Sequence, residues 1–310
     1  MGIIVYSLIS CPLKLIFMTY KLIDGKAISD SIKIEIKESV SALIREHSIK
    51  PGLTVILVGD DPASKVYVRN KRSSAMDAGM CSTIVNLPGS TTKTELLSEI
   101  EALNSDDNCH GILVQLPLPA HLDENEILAS IDPDKDVDGL HPKNVGLLSM
   151  GSPRFVPATP SGIKEMLLRS NNDPKGKHVV ILGRSNIVGK PLSNLLSLKD
   201  RGGDATVTLC HSRTNNLEEI TRSADVLVAA IGIPHFVTQE MVSDGVVAID
   251  VGVNRVEDNS RPRGYRLTGD IAFDEVSKKA SAITPVPGGV GPMTIAMLLQ
   301  NTLNAACRSI

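Results

Sequence analysis

A tyrosine and a lysine four residues apart could do proton-transfer chemistry in the stretch KVYVRNKRSS, residues 65–74. Side chains at positions i and i+4 share one face of a helix, so the phenol of Tyr67 and the ammonium of Lys71 can reach a common point. Lysine suits acid/base work because burial shifts its pKa readily. The same spacing occurs on surface helices without function, so the interpretation depends on the rest of the chain.

Tyr-x-x-x-Lys is also the catalytic signature of short-chain dehydrogenases, in which the lysine lowers the pKa of the tyrosine. In those enzymes the pair lies downstream of the glycine-rich cofactor loop, in the same domain. Here Tyr67 and Lys71 lie far upstream of the glycine-rich segment GRSNIVGKP, residues 183–191. This order excludes that family, and a catalytic pair must face the cofactor from another domain.

The elements around the pair alternate between helices and strands. Apolar residues four apart from Ile28 to Ile44 predict an amphipathic helix that ends at KPG, residues 50–52. Branched apolar runs predict strands buried on both faces of a parallel sheet. In the first half of the chain we predict strands at 53–59, 81–87 and 111–118, with helices carrying Tyr67 and Lys71 and spanning 93–104. This order is typical of βαβ units.

The same alternation resumes after FVPATPSG, residues 155–162, whose prolines mark a domain junction. Strands are predicted at 178–183, 205–210, 226–232 and 246–252. A length of 310 residues also favours two domains. We therefore predict an α/β protein with an N-terminal α/β catalytic domain, a Rossmann-type dinucleotide-binding domain, and a cleft between them.

The glycine-rich segment nearly fits two phosphate-binding templates. A P-loop needs one residue fewer before its Gly-Lys and a Ser or Thr after it, whereas Pro191 follows Lys190 here, which argues against nucleotide hydrolysis. The dinucleotide loop G-x-G-x-x-G is matched imperfectly by Gly183, Ser185 and Gly189. Its physical requirements remain, since the glycines allow a tight turn and close helix packing, and the helix N-terminus offers N–H groups to a pyrophosphate.

The residues after the second strand of this domain indicate NADP. NAD-preferring proteins place an Asp or Glu there for the ribose 2′-hydroxyl. This chain has Ser212 and Arg213 instead, and Arg184 in the glycine loop adds a second cation near the expected 2′-phosphate. The alternative is that both arginines are solvated surface charges.

Composition excludes several classes of function. A net charge of −3, aromatic residues at 3% and no tryptophan argue against a nucleic-acid partner. The five cysteines form no C-x-x-C pair and the seven histidines no H-x-x-x-H spacing, so no metal site is predicted, and the cysteines fit a reducing, cytoplasmic compartment. Lys14 interrupts the apolar opening stretch, which lacks a cleavage site, so we predict no membrane segment.

Candidate polar residues recur near the carboxyl ends of the predicted strands, where parallel α/β sheets bind ligands. Lys71 follows strand 53–59, Gln115 lies late in strand 111–118, and Asp138 lies in the loop KDVDGLHP further on. The motifs GDDPASKVYVRNK, GILVQLPLP, DKDVDGLHP, VILGRSNIVGKPL, AIDVGVN and ITPVPGGVGPMT occur in this order. Together they resemble the bifunctional methylenetetrahydrofolate dehydrogenase/methenyltetrahydrofolate cyclohydrolase family, from about residue 20 to the C-terminus.

The resemblance implies roles for individual residues. Lys71 would be the catalytic lysine, Tyr67 would orient the folate, Gln115 would bond the lysine, and Asp138 would bind the pterin. The family pattern also implies folate contacts at Val114, Leu116, Pro287, Gly288, Gly289, Val290 and Gly291. It implies cofactor contacts at Gly183, Arg184, Ser185, Gly189, Ser212, Arg213 and Val253. The implied ligands are tetrahydrofolate derivatives and NADP, and the implied assembly is a homodimer.

The resemblance also implies how the chain is divided. Residues 18–157 with 287–310 would form the folate-binding catalytic domain, and residues 158–286 the NADP-binding domain. Residues 1–17 would be an extension or an incorrectly assigned start, since Met18 opens a more natural beginning.

Three further predictions about residues and two alternative functions stay open at this stage. Asp250 and Asn254 are expected to order a loop beside the nicotinamide, and Asp270 to serve as a cap or turn residue. His211 is expected either to contact the cofactor or to be structural. A shikimate-dehydrogenase-like or amino-acid-dehydrogenase-like enzyme would share the fold, but the segments PVPGGVGPMT and DVDG are not expected there. A dinucleotide-sensing module without catalysis is the non-enzymatic alternative.

Overall fold

The computed structural model describes residues 20–258, 260–261 and 264–310. The predicted extension 1–17 and the predicted start at Met18 lie outside these residues. The α-helices are α1 (Gly25–His47), α2 (Pro62–Asp77), α3 (Lys93–Asn104), α4 (Glu124–Ala129), α5 (Pro142–Ser149), α6 (Ala158–Arg169), α7 (Gly189–Ser197), α8 (Leu217–Arg222), α9 (Phe273–Val276) and α10 (Val290–Cys307). The strands are β1 (Lys21–Leu22), β2 (Gly52–Val58), β3 (Cys81–Leu87), β4 (Gly111–Val114), β5 (His178–Leu182), β6 (Thr206–Cys210), β7 (Val226–Ala229), β8 (Val247–Asp250), β9 (Asn254–Glu257), β10 (Tyr265–Thr268) and β11 (Ala282–Ile283).

The N-terminal half contains a three-stranded parallel sheet in the order β3-β2-β4. Every residue of the central strand β2 is buried, as its uninterrupted apolar run requires. Helix α2 begins where the Asp61 carboxylate accepts a hydrogen bond from the N–H of Ser64, at 2.7 Å. Strand and cap together place α2 directly after the carboxyl end of β2.

The second half contains a six-stranded parallel sheet in the order β1-β11-β8-β7-β5-β6. After β5 the chain moves to one side to form β6 and then returns to form β7 on the other side. The loops that leave β5 and β7 therefore diverge at the point where doubly wound sheets bind dinucleotides. The predicted α/β class with a Rossmann-type domain is confirmed.

Two features of the sheets differ from the sequence-based assignment. The edge strand β1 pairs with β11, so residues 21–22 complete the cofactor-domain sheet although they were assigned to the catalytic domain. A two-residue strand with exposed side chains leaves no pattern to detect. Strand β4 ends at Val114 rather than at residue 118, so Gln115 follows the strand instead of lying within it.

Helices at the junction tie the two halves together. Helix α10 packs against α1, α6 and β4, so the C-terminal segment returns to the N-terminal half as the resemblance implies. Helix α6 starts at the predicted junction and packs against both α10 and α7. An antiparallel hairpin of β9 and β10, which the sequence did not suggest, extends from the cofactor domain. No helix in the described part of the chain combines the length and apolar character needed to cross a membrane.

Candidate active site

Lys71 lies on the inward face of α2, where its side chain is buried. Its ammonium donates a hydrogen bond to Oε1 of Gln115, at 2.9 Å. The Gln115 amide is itself oriented, because its Nε2 donates to the carbonyl oxygen of Leu116 at 2.7 Å. Residues 44 positions apart in the sequence thus meet with a defined acceptor facing the lysine.

Gln115 owes its position to the strand before it. Its backbone N–H still donates to the carbonyl oxygen of Ile56 at 2.9 Å, so the β2–β4 pairing extends to this residue. The side chain therefore stands at the carboxyl edge of the sheet, where it meets Lys71 from the second half of α2.

Asp138 belongs to a loop that a second, fully buried carboxylate organises. Asp136 accepts hydrogen bonds from the N–H groups of Leu140 and His141 and from Nδ2 of Asn144, at 3.2, 2.8 and 2.8 Å. In the described part of the chain, by contrast, no hydrogen bond reaches the carboxylate of Asp138. Asp138 is half-buried and close enough to Lys71 for the two charges to interact. We call Lys71, Gln115 and Asp138 the lysine cluster.

The electrostatics of the cluster oppose full ionisation. Burial lowers the pKa of Lys71, and the negative charge of Asp138 partly counteracts this. Burial likewise raises the pKa of Asp138, while Lys71 acts in the opposite sense. An amine with a lowered pKa next to an acceptor that is free to bind a ligand is suited to proton transfer.

The lowered pKa makes a prediction about stability. Between the pKa of folded Lys71 and the ordinary lysine value, the folded chain binds fewer protons than the unfolded chain, so stability rises with pH. Lys71→Met removes this group, so the free energy of unfolding of the variant should rise less than that of wild type as the pH is raised from 7 toward about 10, which urea unfolding at several pH values measures. Lys65→Met, an exposed change on the same helix, should keep the wild-type pH dependence to within about 0.5 kcal/mol. An equal rise with pH in the Lys71 variant and in wild type would contradict the prediction.

The other residues expected at the folate lie on α2, at the end of β4, or from Pro287 into the first residues of α10. Tyr67 lies one turn before Lys71 on α2 and is 44% exposed, so its ring is free to contact a ligand. Val114 is buried in β4, and Leu116 is partly buried after it. Val114 and Leu116 thus flank Gln115 in the chain.

The glycine segment before α10 is anchored to the start of α1. The N–H of Lys26 donates to the carbonyl oxygen of Gly288 at 2.9 Å, and Gly288 has a φ of +105°. A Cβ on Gly25 would lie 2.0 Å from the carbonyl oxygen of Gly289, so the two backbones approach too closely for a side chain. The segment from Pro287 to Gly291 is therefore held against the catalytic half of the chain.

The glycine loop after β5 has the geometry of a dinucleotide loop. Gly183 has a φ of +108°, and a Cβ there would lie 2.1 Å from the carbonyl oxygen of Ala230. A Cβ on Gly189 would lie 1.9 Å from the carbonyl oxygen of Gly183. The hydroxyl of Ser185 accepts a hydrogen bond from the N–H of Val188 at 3.1 Å and so shapes the start of α7. Ser185 thus acts as a hydrogen-bond acceptor at the start of this helix.

A cleft of about 380 Å³, here called the cofactor cleft, opens at the carboxyl ends of β5, β6 and β7. Its lining includes Gly183, Arg184, Ser185 and Ser212 among the predicted cofactor residues. Arg213 is exposed beside Ser212, and no Asp or Glu lines the cleft. The cleft therefore fits a dinucleotide with a 2′-phosphate, as the residue types require.

The sequence reasoning missed the apolar side of this cleft. Ile231, Ile233 and Phe236, from the loop after β7, line it together with Leu217. Ile233 and Phe236 are 49% and 36% exposed, so their side chains are accessible from the cleft. The sequence signal that could have predicted this lining is a set of apolar residues in a glycine-containing loop directly after a strand. Val253, 45% exposed in the loop after β8, is outside the lining of this cleft.

Asp250 and Asp270 are linked by a hydrogen bond from the backbone N–H of Asp270 to the carboxylate of Asp250. Asp250 accepts hydrogen bonds from the N–H groups of Gly252, Asp270 and Ile271, and Asp270 accepts one from Nδ2 of Asn254. Asp270 also accepts hydrogen bonds from the consecutive N–H groups of Ile231 and Gly232, so the segment that it caps is the loop after β7, nearly forty residues away.

His211 has a structural bond, since its Nδ1 accepts from the N–H of Arg213 at 3.1 Å, and it also lines the cofactor cleft. Both readings of this histidine therefore find support. In the described residues, no group of three or more His, Cys, Asp or Glu side chains is arranged to hold a metal ion.

Family models cover both halves of the chain. The model described as "Tetrahydrofolate dehydrogenase/cyclohydrolase, catalytic domain" matches residues 23–138. The model described as "Tetrahydrofolate dehydrogenase/cyclohydrolase, NAD(P)-binding domain" matches residues 157–310. The first match contains the lysine cluster, and the second contains the cofactor cleft.

Relatives and solved structures agree with these matches. A protein of Chlorobium phaeobacteroides named "Bifunctional protein FolD" is 56% identical over 289 residues, 93% of this chain and 97% of the relative. The FolD structure of Campylobacter jejuni is 47% identical, with a TM-score of 0.87 over 94% of this chain and 100% of its own. That of Trypanosoma brucei, complexed with NADP cofactor and an inhibitor, is 43% identical, with a TM-score of 0.89 over 94% and 98% of the two chains.

These matches decide between the readings that the sequence left open. They extend over nearly the full length of the relatives and include both halves of this chain, so the shikimate-dehydrogenase-like and amino-acid-dehydrogenase-like alternatives are wrong. With two domains, a buried lysine cluster and a dinucleotide cleft at the expected edges, the chain belongs to the tetrahydrofolate dehydrogenase/cyclohydrolase family.

Proposed function

We propose that this enzyme carries out both reactions of its family at a single site centred on Lys71. The first is the NADP-dependent oxidation of 5,10-methylenetetrahydrofolate to the methenyl cation, and the second is hydrolysis of that cation to 10-formyltetrahydrofolate. The observation that carries the proposal is the buried Lys71 ammonium, held 2.9 Å from Gln115 beside a carboxylate that has acceptor capacity to spare.

In the oxidation, the residues of the chain mainly orient the substrate. Bound NADP supplies the acceptor for the hydride that leaves the methylene carbon. The Asp138 carboxylate can accept the paired N–H donors of a pterin in a fork, and the exposed ring of Tyr67 can lie against the substrate. Burial lowers the pKa of Lys71, because desolvation disfavours its charged form.

In the hydrolysis, Lys71 transfers protons. Water attacks the methenyl carbon, and the Lys71 amine accepts a proton from it. The resulting ammonium then protonates the ring nitrogen as its bond to the same carbon breaks, and the remaining hydroxyl proton leaves to solvent. Gln115 holds the Lys71 nitrogen in place through both transfers, since its own amide is fixed on Leu116.

The substrate-lining residues follow from this arrangement. We propose that Val114, Gln115 and Leu116 form one wall of the folate site and the segment Pro287–Gly291 another. The glycines of that segment let the backbone approach a flat ligand. Supporting this, Gly288 and Gly289 are anchored to α1 in the catalytic half.

The cofactor residues are proposed to be Gly183, Arg184, Ser185, Gly189, Ser212, Arg213 and Val253. The glycines would admit the pyrophosphate, and Ser212 with the two arginines would bind the 2′-phosphate. We expect kcat/KM to be higher with NADP than with NAD. Arg213→Ala should reduce kcat/KM with NADP by at least about tenfold, because a charge-assisted hydrogen bond is lost, and should leave the value with NAD nearly unchanged.

Arg201→Ala is a matched control for this prediction. Arg201 is exposed in the same domain but precedes β6, at the opposite edge of the sheet. It should leave both cofactors unaffected. Equal losses with NADP and NAD in the Arg213 variant would count against a 2′-phosphate contact.

We further propose that the chain works as a homodimer, through its cofactor domains, in the cytoplasm, where its product supplies purine biosynthesis. The scattered cysteines support a reducing compartment. Sedimentation equilibrium tests the assembly, and a monomer at micromolar concentration would contradict it.

The experiment that tests the proposed function is a coupled assay. Purified protein is given methylenetetrahydrofolate with NADP or NAD, and reduced cofactor and methenyl intermediate are followed together. We expect reduced cofactor to appear while the intermediate is consumed. Accumulation of the intermediate would show that the chain lacks the second activity.

A further inference from the structure

Asp250 and Asp270 form a buried pair of carboxylates in the cofactor domain. They are 3% and 0% exposed. A Cβ on Gly252 would lie 2.2 Å from Oδ1 of Asp270, and one on Gly269 would lie 1.8 Å from Oδ2 of Asp250. Glycine at these two positions is what lets the backbone enclose both carboxylates.

The pair connects the two loops that leave β7 and β8. Asp270 accepts hydrogen bonds from the N–H groups of Ile231 and Gly232, at 2.7 and 3.0 Å, and Ile231 lines the cofactor cleft. Asp250 accepts from the N–H of Gly252 at 3.0 Å, next to Val253. Asp270 therefore holds the loop after β7, and Asp250 holds the loop after β8.

The charge of the pair is not balanced by a neighbouring cation. Among the described residues, no Lys or Arg nitrogen and no His ring nitrogen lies within 4 Å of either carboxylate in a salt bridge. His235 is the titratable group of the facing loop, and its ring bonds the hydroxyl of Thr268 instead. Backbone N–H groups and the Asn254 amide offset part of the desolvation cost, but buried charge ordinarily has an opposite charge nearby.

The geometry indicates where that opposite charge comes from. The 2′-phosphate residues lie after β6 and the pyrophosphate loop after β5, so a dinucleotide laid across the sheet places its nicotinamide beyond β7 and β8. The nicotinamide ring is positively charged when oxidised and neutral when reduced.

We propose that Asp250 and Asp270 are positioning residues that hold loops 231–232 and 252–254 at the nicotinamide and make the chain bind oxidised NADP more tightly than NADPH. The inference rests on the proposed seat of the dinucleotide. Burial raises the pKa of Asp250 to about 6, so this carboxyl is ionised under ordinary assay conditions.

Dissociation constants for NADP and NADPH, measured by calorimetry at pH 7.5, test the proposal. Wild type should bind NADP more tightly. Asp250→Asn and Asp270→Asn each remove one charge at nearly constant volume, and each should weaken NADP about fivefold more than NADPH, as expected for a unit charge several ångströms from the ring. Because the ratio of two constants is taken on one preparation, a fraction of misfolded protein does not change it.

A matched variant separates the position of the removed charge from a general loss of charge. Asp225→Asn removes a carboxylate that accepts the N–H of His178 at 2.8 Å, at the opposite edge of the same sheet, and should keep the wild-type ratio.

Several results would overturn the proposal. These are tighter binding of NADPH by wild type, equal weakening of both cofactor forms in the Asp250 and Asp270 variants, or a ratio altered as much by Asp225→Asn as by those variants. If one aspartate variant fails to fold, the other and the wild-type ratio still decide. If the proposed position of the cofactor were itself wrong, Arg213→Ala would bind NADP like wild type. That result would distinguish an error in the cofactor site from an error in this inference.

Discussion

Replacing Lys71 by methionine is expected to lower cyclohydrolase turnover by about 10²–10⁴-fold, the usual contribution of a general acid/base group. Methionine fills a similar volume, so the buried face of α2 should remain packed. The dissociation constant for NADP should stay within about twofold of wild type, since the cofactor cleft is built by other elements. Hydrolysis of methenyltetrahydrofolate, followed by its absorbance, measures the effect.

Lys65→Met is the control for that experiment. Lys65 lies on the same helix but is exposed and paired with Asp60, at 2.7 Å. It should retain full cyclohydrolase turnover, because an exposed ion pair contributes little to the fold or the site. Normal methenyl hydrolysis in the Lys71 variant would refute the assignment of Lys71 as the proton-transfer group.

Replacing Asp138 by alanine is expected to raise the KM for the folate at least tenfold in both reactions, or to remove both activities. Hydrogen bonds to a charged group contribute about 1.5–3 kcal/mol each, which is a factor of about 10–150 in binding. The variant also takes away the negative charge that raises the pKa of Lys71, so the pKa of the lysine should fall further. Steady-state kinetics with varied folate and saturating NADP measure the change.

Asp134→Ala provides the comparison for Asp138. Asp134 lies in the same loop, where its exposed carboxylate pairs with Arg154. Its loss should leave the folate KM within about twofold of wild type. Wild-type kinetics in the Asp138 variant, or equal losses in the two variants, would count against a pterin-binding role for Asp138.

Most strands of the fold could be predicted because a strand that is buried on both faces is a short run of apolar residues in the sequence. A strand such as β5, covered on both faces, must be apolar at nearly every position. The residues of β5 meet this requirement after His178. Helix α3 matches its predicted range, since Thr92 and Glu95 form a capping box at its start. The edge elements could not be predicted in this way. Strand β1 and the β9–β10 hairpin are short and partly exposed, so neither requires an apolar pattern.

The site shows the same division between local and non-local information. Residue types and motif order pointed to Lys71, Asp138, a dinucleotide loop and NADP, because these depend on side-chain chemistry and short spacings. Only the tertiary structure could join Lys71 to Gln115, and Asp270 to the loop after β7, since these contacts span 44 and 38–39 residues. A hydrogen bond between distant residues leaves no periodicity in the sequence; it exists only once the sheets have brought the ends of their strands to one edge.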